Sequence, residues 1–346
     1  MRLKEFQVYL KKEGIGLALL IHPDINITYF TQTKPTFAIF EVTPNSATLL
    51  ISALDEKPHL KGITVSTLHK GWDKKWARHN VKKVGINKEV VTLAFWERLH
   101  KIFQKAKLVD ISSKLKELKA QKTSEEIQKI STACKITDLA FNQLIKQWNP
   151  KKFDTEQKVA SFLEKVMQEH RATPGFPTIV ANGKNAAIPH YNTSNHKLRR
   201  GFLMLDFCAC YQNYNADMSR TLMLGKPTKE EKERYELLQK VQSQLLDEVK
   251  EGILYSQLQQ SAKKKLGQYS SHFIHLLGHG VGIDIHESHS FSLEAKDKIK
   301  NKHVFTIEPG IYFYKKFGLR IEDTVLFDKK LKLLTTSPRG LIKLRI

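Results

Sequence analysis

Four carboxylates in the second half of the chain stand within or beside strongly apolar segments. They are Asp206 in FLMLDFCA, Asp217 before MSRTLML, Glu308 in VFTIEPG and Glu322 in LRIEDTVLF. A carboxylate in a buried strand costs free energy unless it is paired or bound to a metal ion. Arg199, Arg220 and Arg320 could each pair with one of them. Divalent cations would neutralise the whole set, because hard oxygen ligands suit such ions.

The spacing of the acids predicts two hairpins. Asp206 and Asp217 flank the turn-forming segment YQNY, and Glu308 and Glu322 flank a second turn at YKKFG (314–318). A hairpin places such residues opposite or nearly opposite each other, with Cβ atoms about 4.5–5.5 Å apart on one sheet face. Two hairpins packed side by side would therefore form a cup of four carboxylates.

The segment HLLGHGVGIDIHE (275–287) offers an imidazole to this cup. Its glycines make a helix through His275 and His279 improbable, and they do not match the dinucleotide-binding pattern G-x-G-x-x-G. The chain has 14 histidines, so a single histidine is more often packed or exposed than a ligand. The company of the four acids singles out His279.

Composition bounds the class of protein. The chain has 346 residues, enough for two domains, with 41% hydrophobic and 27% charged residues. No apolar run reaches the roughly 18–20 residues that span a bilayer, and charges interrupt any signal-peptide core near the start. Three cysteines are too few for a disulfide framework, which favours a reducing, cytoplasmic location. We therefore expect neither a membrane protein nor a secreted disulfide scaffold.

The net charge of +22 raises nucleic-acid binding as the rival class. The basic residues are spread over both halves of the chain, and no aromatic residues interleave with a basic stripe. A lysine-rich, solvated surface explains such a distribution better, so we do not expect nucleic acid as a partner.

Periodicity predicts an N-terminal α/β domain over residues 1–120 and a C-terminal α+β domain over 121–346. The first domain alternates a helix at 3–13 with short strand-like runs. Those runs are 16–21, 37–42, 47–52, 63–66 and 106–110. The second domain opens on helices at 124–148 and 154–170, the first after the start signal TSEE. It continues with β-rich segments and with helices at 228–250 and 255–267.

The ordered acids and histidine resemble the metal ligands of the pita-bread metallopeptidases, peptidase family M24. That superfamily includes methionine aminopeptidase, Xaa-Pro aminopeptidase and Xaa-Pro dipeptidase (prolidase). The likeness extends through ANGKNAAIPHY (181–191), DMSRT (217–221), GHGVGIDIHE (278–287), FTIEPGIY (305–312) and GLRIEDTV (318–325). A short α/β domain ahead of KTSEEIQKI (122–130) is similar to the creatinase-type N-terminal domain of the proline-specific branch.

The resemblance implies two divalent metal ions per chain, Mn²⁺ or Co²⁺ with Zn²⁺ and Fe²⁺ as alternatives. Asp206 would chelate one ion, and Asp217 and Glu322 would bridge both. His279 and Glu308 would be further ligands of the second ion. A water or hydroxide would lie between the ions.

The resemblance also implies catalytic and substrate-binding roles. Glu308 would shuttle a proton to the leaving proline nitrogen, and His190 and His286 would steady the scissile carbonyl and the oxyanion. His275 and Arg320 would line the proline side of the pocket. A packed core role for His275, and a simple ion pair for Arg320, remain as alternatives.

The activity implied is hydrolysis of the bond between an N-terminal residue and proline, as a dipeptidase or an aminopeptidase, by a homodimer in the cytoplasm. The alternative function is a catalytically weak pita-bread protein that binds peptides or nucleic acid. Three positions depart from the family pattern: Cys208 and Asn213 replace glycines, and Ala216 replaces a serine. Cys208 is expected on the strand face of Asp206, either as a reactive thiol near the metals or as an inert filler.

Overall fold

The computed structural model describes residues 2–78 and 80–346, and the chain divides into two compact units, Met1–Leu118 and Lys119–Ile346. In the described part of the chain, no helix is both long enough and apolar enough to cross a membrane.

Unit 1 is built on a mixed sheet. Its strands are β1 (Leu17–Ile21), β2 (Ala38–Val42), β3 (Ala47–Ile51), β4 (Thr64–Thr67), β5 (Lys83–Ile86) and β6 (Lys107–Asp110). Their order across the sheet is β4-β3-β2-β1-β5-β6. Strands β1, β2 and β3 pair antiparallel, and the outer pairs are parallel.

The helices of unit 1 are amphipathic or short. They are α1 (Arg2–Glu13), α2 (Ile25–Thr31), α3 (Leu93–Ile102) and α4 (Ser112–Ala120), which runs past the division between the units. The apolar core of unit 1 includes Leu19, Ile39, Trp76 and Leu99. The α/β prediction is confirmed, although β5 was not among the predicted strands because its run is only KVGI.

Unit 2 has four longer helices within its described residues. They are α5 (Ser124–Lys146), α6 (Glu156–Glu169), α7 (Lys229–Glu248) and α8 (Tyr255–Leu266). Helix α5 begins at the predicted start signal, where Thr123 and Glu126 form a reciprocal capping box. It ends at Lys146, two residues before the predicted end, and Gln147 is its C-cap.

The strands of unit 2 are mostly antiparallel, as predicted. They are β7 (Thr173–Pro174), β8 (Ile179–Asn182), β9 (Gly201–Phe207), β10 (Ala209–Tyr211), β11 (Tyr214–Asn215), β12 (Met218–Leu224), β13 (His303–Ile307), β14 (Gly310–Phe313), β15 (Phe317–Arg320), β16 (Asp323–Asp328), β17 (Lys330–Leu333) and β18 (Lys343–Leu344). They form sheets of order β18-β12-β9-β8, β13-β16-β17, β14-β15 and β11-β10-β7.

Two apolar clusters form the core of unit 2, and each joins two helices to one layer of strands. Helices α5 and α6 pack on β8, β9 and β12, and helices α7 and α8 pack on β13 to β16. The acidic residues of interest lie where the strands of these two layers end or change partner.

Candidate metal centre

The nine predicted site residues all line one cavity of unit 2, about 780 Å³ in volume. They are Asp206, Asp217, His279, Glu308 and Glu322, with His190, His275, His286 and Arg320. The topology therefore brings together residues that span more than a hundred positions of the chain.

The first hairpin places its two acids diagonally across the ladder. Strand β9 pairs with β12 so that Asp206 faces Ser219, and Asp217 lies just ahead of β12. Diagonal neighbours on one face are still within reach of each other. The two acids are therefore nearly opposite, as one of the two expected arrangements has it, and not directly opposite. The small β10–β11 hairpin is inserted between the strands.

The second pair of acids lies between two ladders that share one register. Ile307 pairs with Asp323 in the β13–β16 ladder, and Gly310 pairs with Arg320 in the β14–β15 ladder. This register leaves Glu308 and Glu322 facing each other at the junction. Neither glutamate belongs to a strand, and both side chains line the cavity.

Two threonines, which the sequence analysis did not identify, fix the segments that carry His279 and Asp217. Thr306 and Thr324 pair across β13 and β16. The Thr306 hydroxyl accepts from the His279 N–H at 3.1 Å and donates to Glu308 Oε1 at 3.2 Å. The Thr324 hydroxyl accepts from the Asp217 N–H at 2.9 Å and donates to its carbonyl at 2.7 Å. Each threonine stands two residues from a glutamate in the sequence, which is the signal that would have revealed it.

Asp217, His279 and Glu322 offer ligand atoms that all lie within 4.8 Å of one another. His279 Nε2 is 3.5 Å from Asp217 Oδ2 and 3.4 Å from Glu308 Oε1. Its Nδ1 lies 3.1 Å from the Gly280 carbonyl, which assigns the proton of the neutral ring to Nδ1. The Nε2 lone pair then points at carboxylate oxygens, an arrangement that calls for a cation between them.

The electrostatics of the cluster lead to the same requirement. Burial, reinforced by neighbouring carboxylates, raises the pKa of Asp217 and of Glu322 well above their ordinary values. Burial also raises the pKa of Glu308 and lowers the pKa of His279. Asp217 Oδ1 is buried and has no hydrogen-bond partner among the described residues. Oxygen donors with one imidazole fit divalent cations, which would satisfy this oxygen and offset the repulsion.

Asp206 is compensated differently from the other acids. The Arg320 guanidinium donates from one terminal nitrogen to Asp206 Oδ2 and from Nε to Ser219 Oγ at 2.7 Å. Ser219 in turn donates to Glu322 Oε2 at 2.7 Å. Arginine pairing therefore applies to one acid of the set, while Arg220 pairs with Asp323 outside it.

His275 belongs to a chain of hydrogen bonds that begins at Arg320, beside this ion pair. Arg320 donates to the Tyr312 hydroxyl at 2.8 Å, and that hydroxyl is 3.0 Å from His275 Nε2. His275 Nδ1 lies 2.7 Å from the Leu276 carbonyl, so both ring nitrogens have partners. Tyr312 is a further site residue that the sequence analysis did not identify. These contacts hold the His275 ring in place at the cavity wall, where 21% of its side chain is exposed.

His190 and His286 line the cavity with exposed rings. The His286 ring lies 4.4 Å from the His279 ring, centroid to centroid. Partial desolvation within the cavity and the neighbouring His279 lower the pKa of His286, which favours the neutral ring. A neutral imidazole beside His279 is able to donate one hydrogen bond to a carbonyl oxygen bound in the cavity.

Two of the three departures from the family pattern, Asn213 and Cys208, have structural reasons. Gln212 and Asn213 both have positive φ, 48° and 69°, in the two-residue turn between β10 and β11. Asparagine tolerates this conformation better than most residues. Cys208 is fully buried, and its Sγ lies 2.4 Å from the place a Cβ would take on Gly175. Burial raises the pKa of the Cys208 thiol, so the structure favours the filler interpretation.

Fold and donor set together are those of a metalloenzyme with its centre at the junction of two antiparallel layers. Residues 128–329 match metallopeptidase family M24, and residues 2–120 match the creatinase/prolidase N-terminal domain. The chain therefore belongs to metallopeptidase family M24, with a creatinase-type N-terminal domain and a pita-bread catalytic domain.

Relatives match over nearly the full length of the chain. An Xaa-Pro dipeptidase of Pyrococcus horikoshii is 32% identical over 99% of this chain and 98% of its own. The crystal structure of the prolidase from that organism has a TM-score of 0.90 at 30% identity, and covers 99% of both chains. That of an X-Pro aminopeptidase from Thermotoga maritima has a TM-score of 0.92 at 29% identity, with the same coverage.

Proposed function

We propose that the protein is a two-metal peptidase that hydrolyses the bond between an N-terminal residue and a following proline. The observation that carries the proposal is the cluster of Asp217, His279 and Glu322, whose ligand atoms lie within 4.8 Å of one another. The named relatives act on Xaa-Pro peptides, which supports the choice of substrate.

Five side chains would hold the two cations. They are Asp206, Asp217, His279, Glu308 and Glu322. Carboxylate-rich sites with one imidazole accept Mn²⁺ or Co²⁺, and also Zn²⁺ or Fe²⁺. When bound, the ions would supply Lewis acidity, which would lower the pKa of a water molecule and polarise the scissile carbonyl.

The remaining chemistry falls to side chains of the cavity. Glu308 accepts the proton of the attacking water and passes it to the leaving proline nitrogen, which as a tertiary amide has no N–H of its own. His190 and His286 donate hydrogen bonds to the carbonyl oxygen as negative charge develops on it. Arg320 holds Asp206 and Tyr312 in place, and with His275 it forms the wall for the proline ring.

Assembly and location belong to the same proposal. We infer a homodimer from the resemblance to the proline-specific branch. The three cysteines are free, which suits a reducing cytoplasm.

The test is substrate choice after metal exchange. The protein is stripped with a chelator, restored with Mn²⁺ or Co²⁺, and incubated with Leu-Pro, Leu-Ala and Leu-Pro-Ala. We expect metal-dependent release of leucine from Leu-Pro and no release from Leu-Ala. Cleavage of the tripeptide would define an aminopeptidase, and its resistance a dipeptidase.

Two results would contradict the proposal. One is resistance of both proline peptides at every metal tested. The other is steeply salt-dependent nucleic-acid binding in a protein without peptidase activity, which would favour the rival class.

A further inference from the structure

A further buried charge pair lies beside the cavity, between residues far apart in the sequence. Lys122 Nζ is 2.7 Å from Glu287 Oε2, and each side chain is 1% exposed. Lys122 lies just ahead of α5, and its N–H donates to the Lys302 carbonyl at 2.9 Å. Removing two charges from water is expensive, and the pair forms only if its geometry is well supported.

The carboxylate of Glu287 also organises the loop that precedes it. Its Oε1 accepts from the Ile283 N–H at 2.9 Å and from the Asp284 N–H at 3.3 Å. The Glu287 N–H donates to the Gly280 carbonyl at 2.8 Å. A Cβ on Gly282 would lie 2.5 Å from Oε1, so the backbone passes this close only because residue 282 is glycine. The segment 280–287 is thus folded around one carboxylate.

This loop carries His286. The His286 side chain has no hydrogen bond to any residue that the structure describes, and its ring contacts that of His279. The backbone of the loop therefore sets where the ring stands. We propose that the Lys122–Glu287 ion pair is a positioning element that holds His286 for catalysis, an inference that rests on the proposed function of His286.

A merely structural ion pair would predict lost stability with no selective effect on turnover. A double-mutant cycle with His286 separates the two roles, because residues that act through one another are not additive. The ion pair is replaced by the double substitution Lys122→Met and Glu287→Gln, called the neutral pair. It keeps the side-chain volume and an oxygen that accepts from the Ile283 N–H. Lys122→Arg is the conservative rescue.

We expect the neutral pair to lower kcat on Leu-Pro about 10- to 100-fold, by analogy with the loss found for the hydrogen-bond partners of metal ligands. Metal content and KM should stay within twofold, and Lys122→Arg should recover most of kcat. In a His286→Ala background, the same replacement should change kcat less than twofold. The control is Arg200→Met, which breaks the Arg200–Glu231 pair outside the cavity lining. It should lower Tm and leave kcat unchanged.

An equal loss of kcat with and without His286, or a loss of bound metal, would overturn the proposal. Normal kcat in His286→Ala would overturn the proposed role of His286 and this inference with it. Amide hydrogen exchange at Ile283 and Asp284 gives a reading that does not depend on activity. Exchange should accelerate in the neutral pair, or in Glu287→Gln alone if the pair does not fold. Unchanged exchange would overturn the inference even if the protein hydrolyses Xaa-Pro peptides.

Discussion

Glu322 and Asp323 are adjacent, and both carboxylates are buried, yet their surroundings are opposite in kind. Asp323 accepts hydrogen bonds from Arg220 at 2.6 Å, Thr335 at 2.9 Å and Gln242 at 2.9 Å. Glu322 accepts one from Ser219, and its burial together with three neighbouring carboxylates outweighs the charge of Arg320, so that the pKa of Glu322 is raised well above its ordinary value. One carboxylate is fully supplied with donors by the chain, and the other is not.

The difference separates an acid that stabilises the fold from an acid prepared for a ligand. When a buried carboxylate has a full set of donors, its hydrogen bonds and ion pair offset the free-energy cost of its desolvation. A buried carboxylate that faces Asp217 and His279 lowers stability until a cation arrives, and so its presence is explained by function. Substitutions on the two sides of this one peptide bond should therefore have different consequences.

The largest effect is expected for Glu322→Ala. As the proposed bridge between both ions, Glu322 should be required for metal binding, and hydrolysis of Leu-Pro should fall by orders of magnitude. The free energy of unfolding of the metal-free protein should not fall, because the substitution removes a repulsive charge. Elemental analysis and chemical denaturation measure the two quantities. A variant that keeps its metals but unfolds readily would place Glu322 in the same class as Asp323.

Asp323→Ala should show the reverse pattern. It leaves the Arg220 guanidinium buried without its partner, and the free energy of unfolding should fall by about 3–5 kcal/mol. Metal binding should persist, and kcat measured well below Tm should fall far less than in Glu322→Ala. Full stability together with lost metal would reverse the comparison.

The pH dependence of the metal-free protein sharpens the same contrast. Because the pKa values of Asp217 and Glu322 are raised in the folded state, that state binds protons more tightly than the unfolded chain. Its stability is therefore highest below the unfolded values of about 4 and declines as pH rises from there through the folded values. Tm should fall with pH over this window in chelated protein, and much less in metal-loaded protein. Identical profiles for both forms would contradict the account.

An opposite dependence on pH is expected from two buried imidazoles. Burial lowers the pKa of His289 to about 2 and that of His303 to about 3, and the two rings stack at 3.9 Å. Both are neutral in the folded protein, so their contribution is lost as pH falls below about 6.5, by about 1.4 kcal/mol per unit for each ring. Denaturation of metal-loaded protein between pH 7.5 and 5 measures this slope. His303→Gln should roughly halve it, and an unchanged slope would assign it to other groups.

The sequence predicted what depends on local pattern. Apolar runs around each acid indicated the strands, and TSEE indicated the start of α5 at Ser124. The turn at YQNY was also confirmed, because Gln212 and Asn213 adopt the positive φ values that a two-residue hairpin requires.

What could not be predicted depends on long-range register and on partner choice. Three arginines were candidates to neutralise the acids, and only the fold shows that Arg320 pairs with Asp206 while Arg220 pairs with Asp323. The Lys122–Glu287 pair joins residues 165 positions apart, and no periodicity links them. Thr306 and Thr324 gain their meaning only once β13 and β16 are paired.

The central claim is that the acids and His279 hold cations that the proposed hydrolysis requires. Metal-free protein is titrated with Mn²⁺, and bound metal per chain is measured alongside the rate of Leu-Pro hydrolysis, with Glu322→Ala as the control. The account predicts that activity rises with occupancy, saturates at two ions per chain, and is absent in the control. Full activity in protein shown by elemental analysis to contain no divalent metal would contradict it.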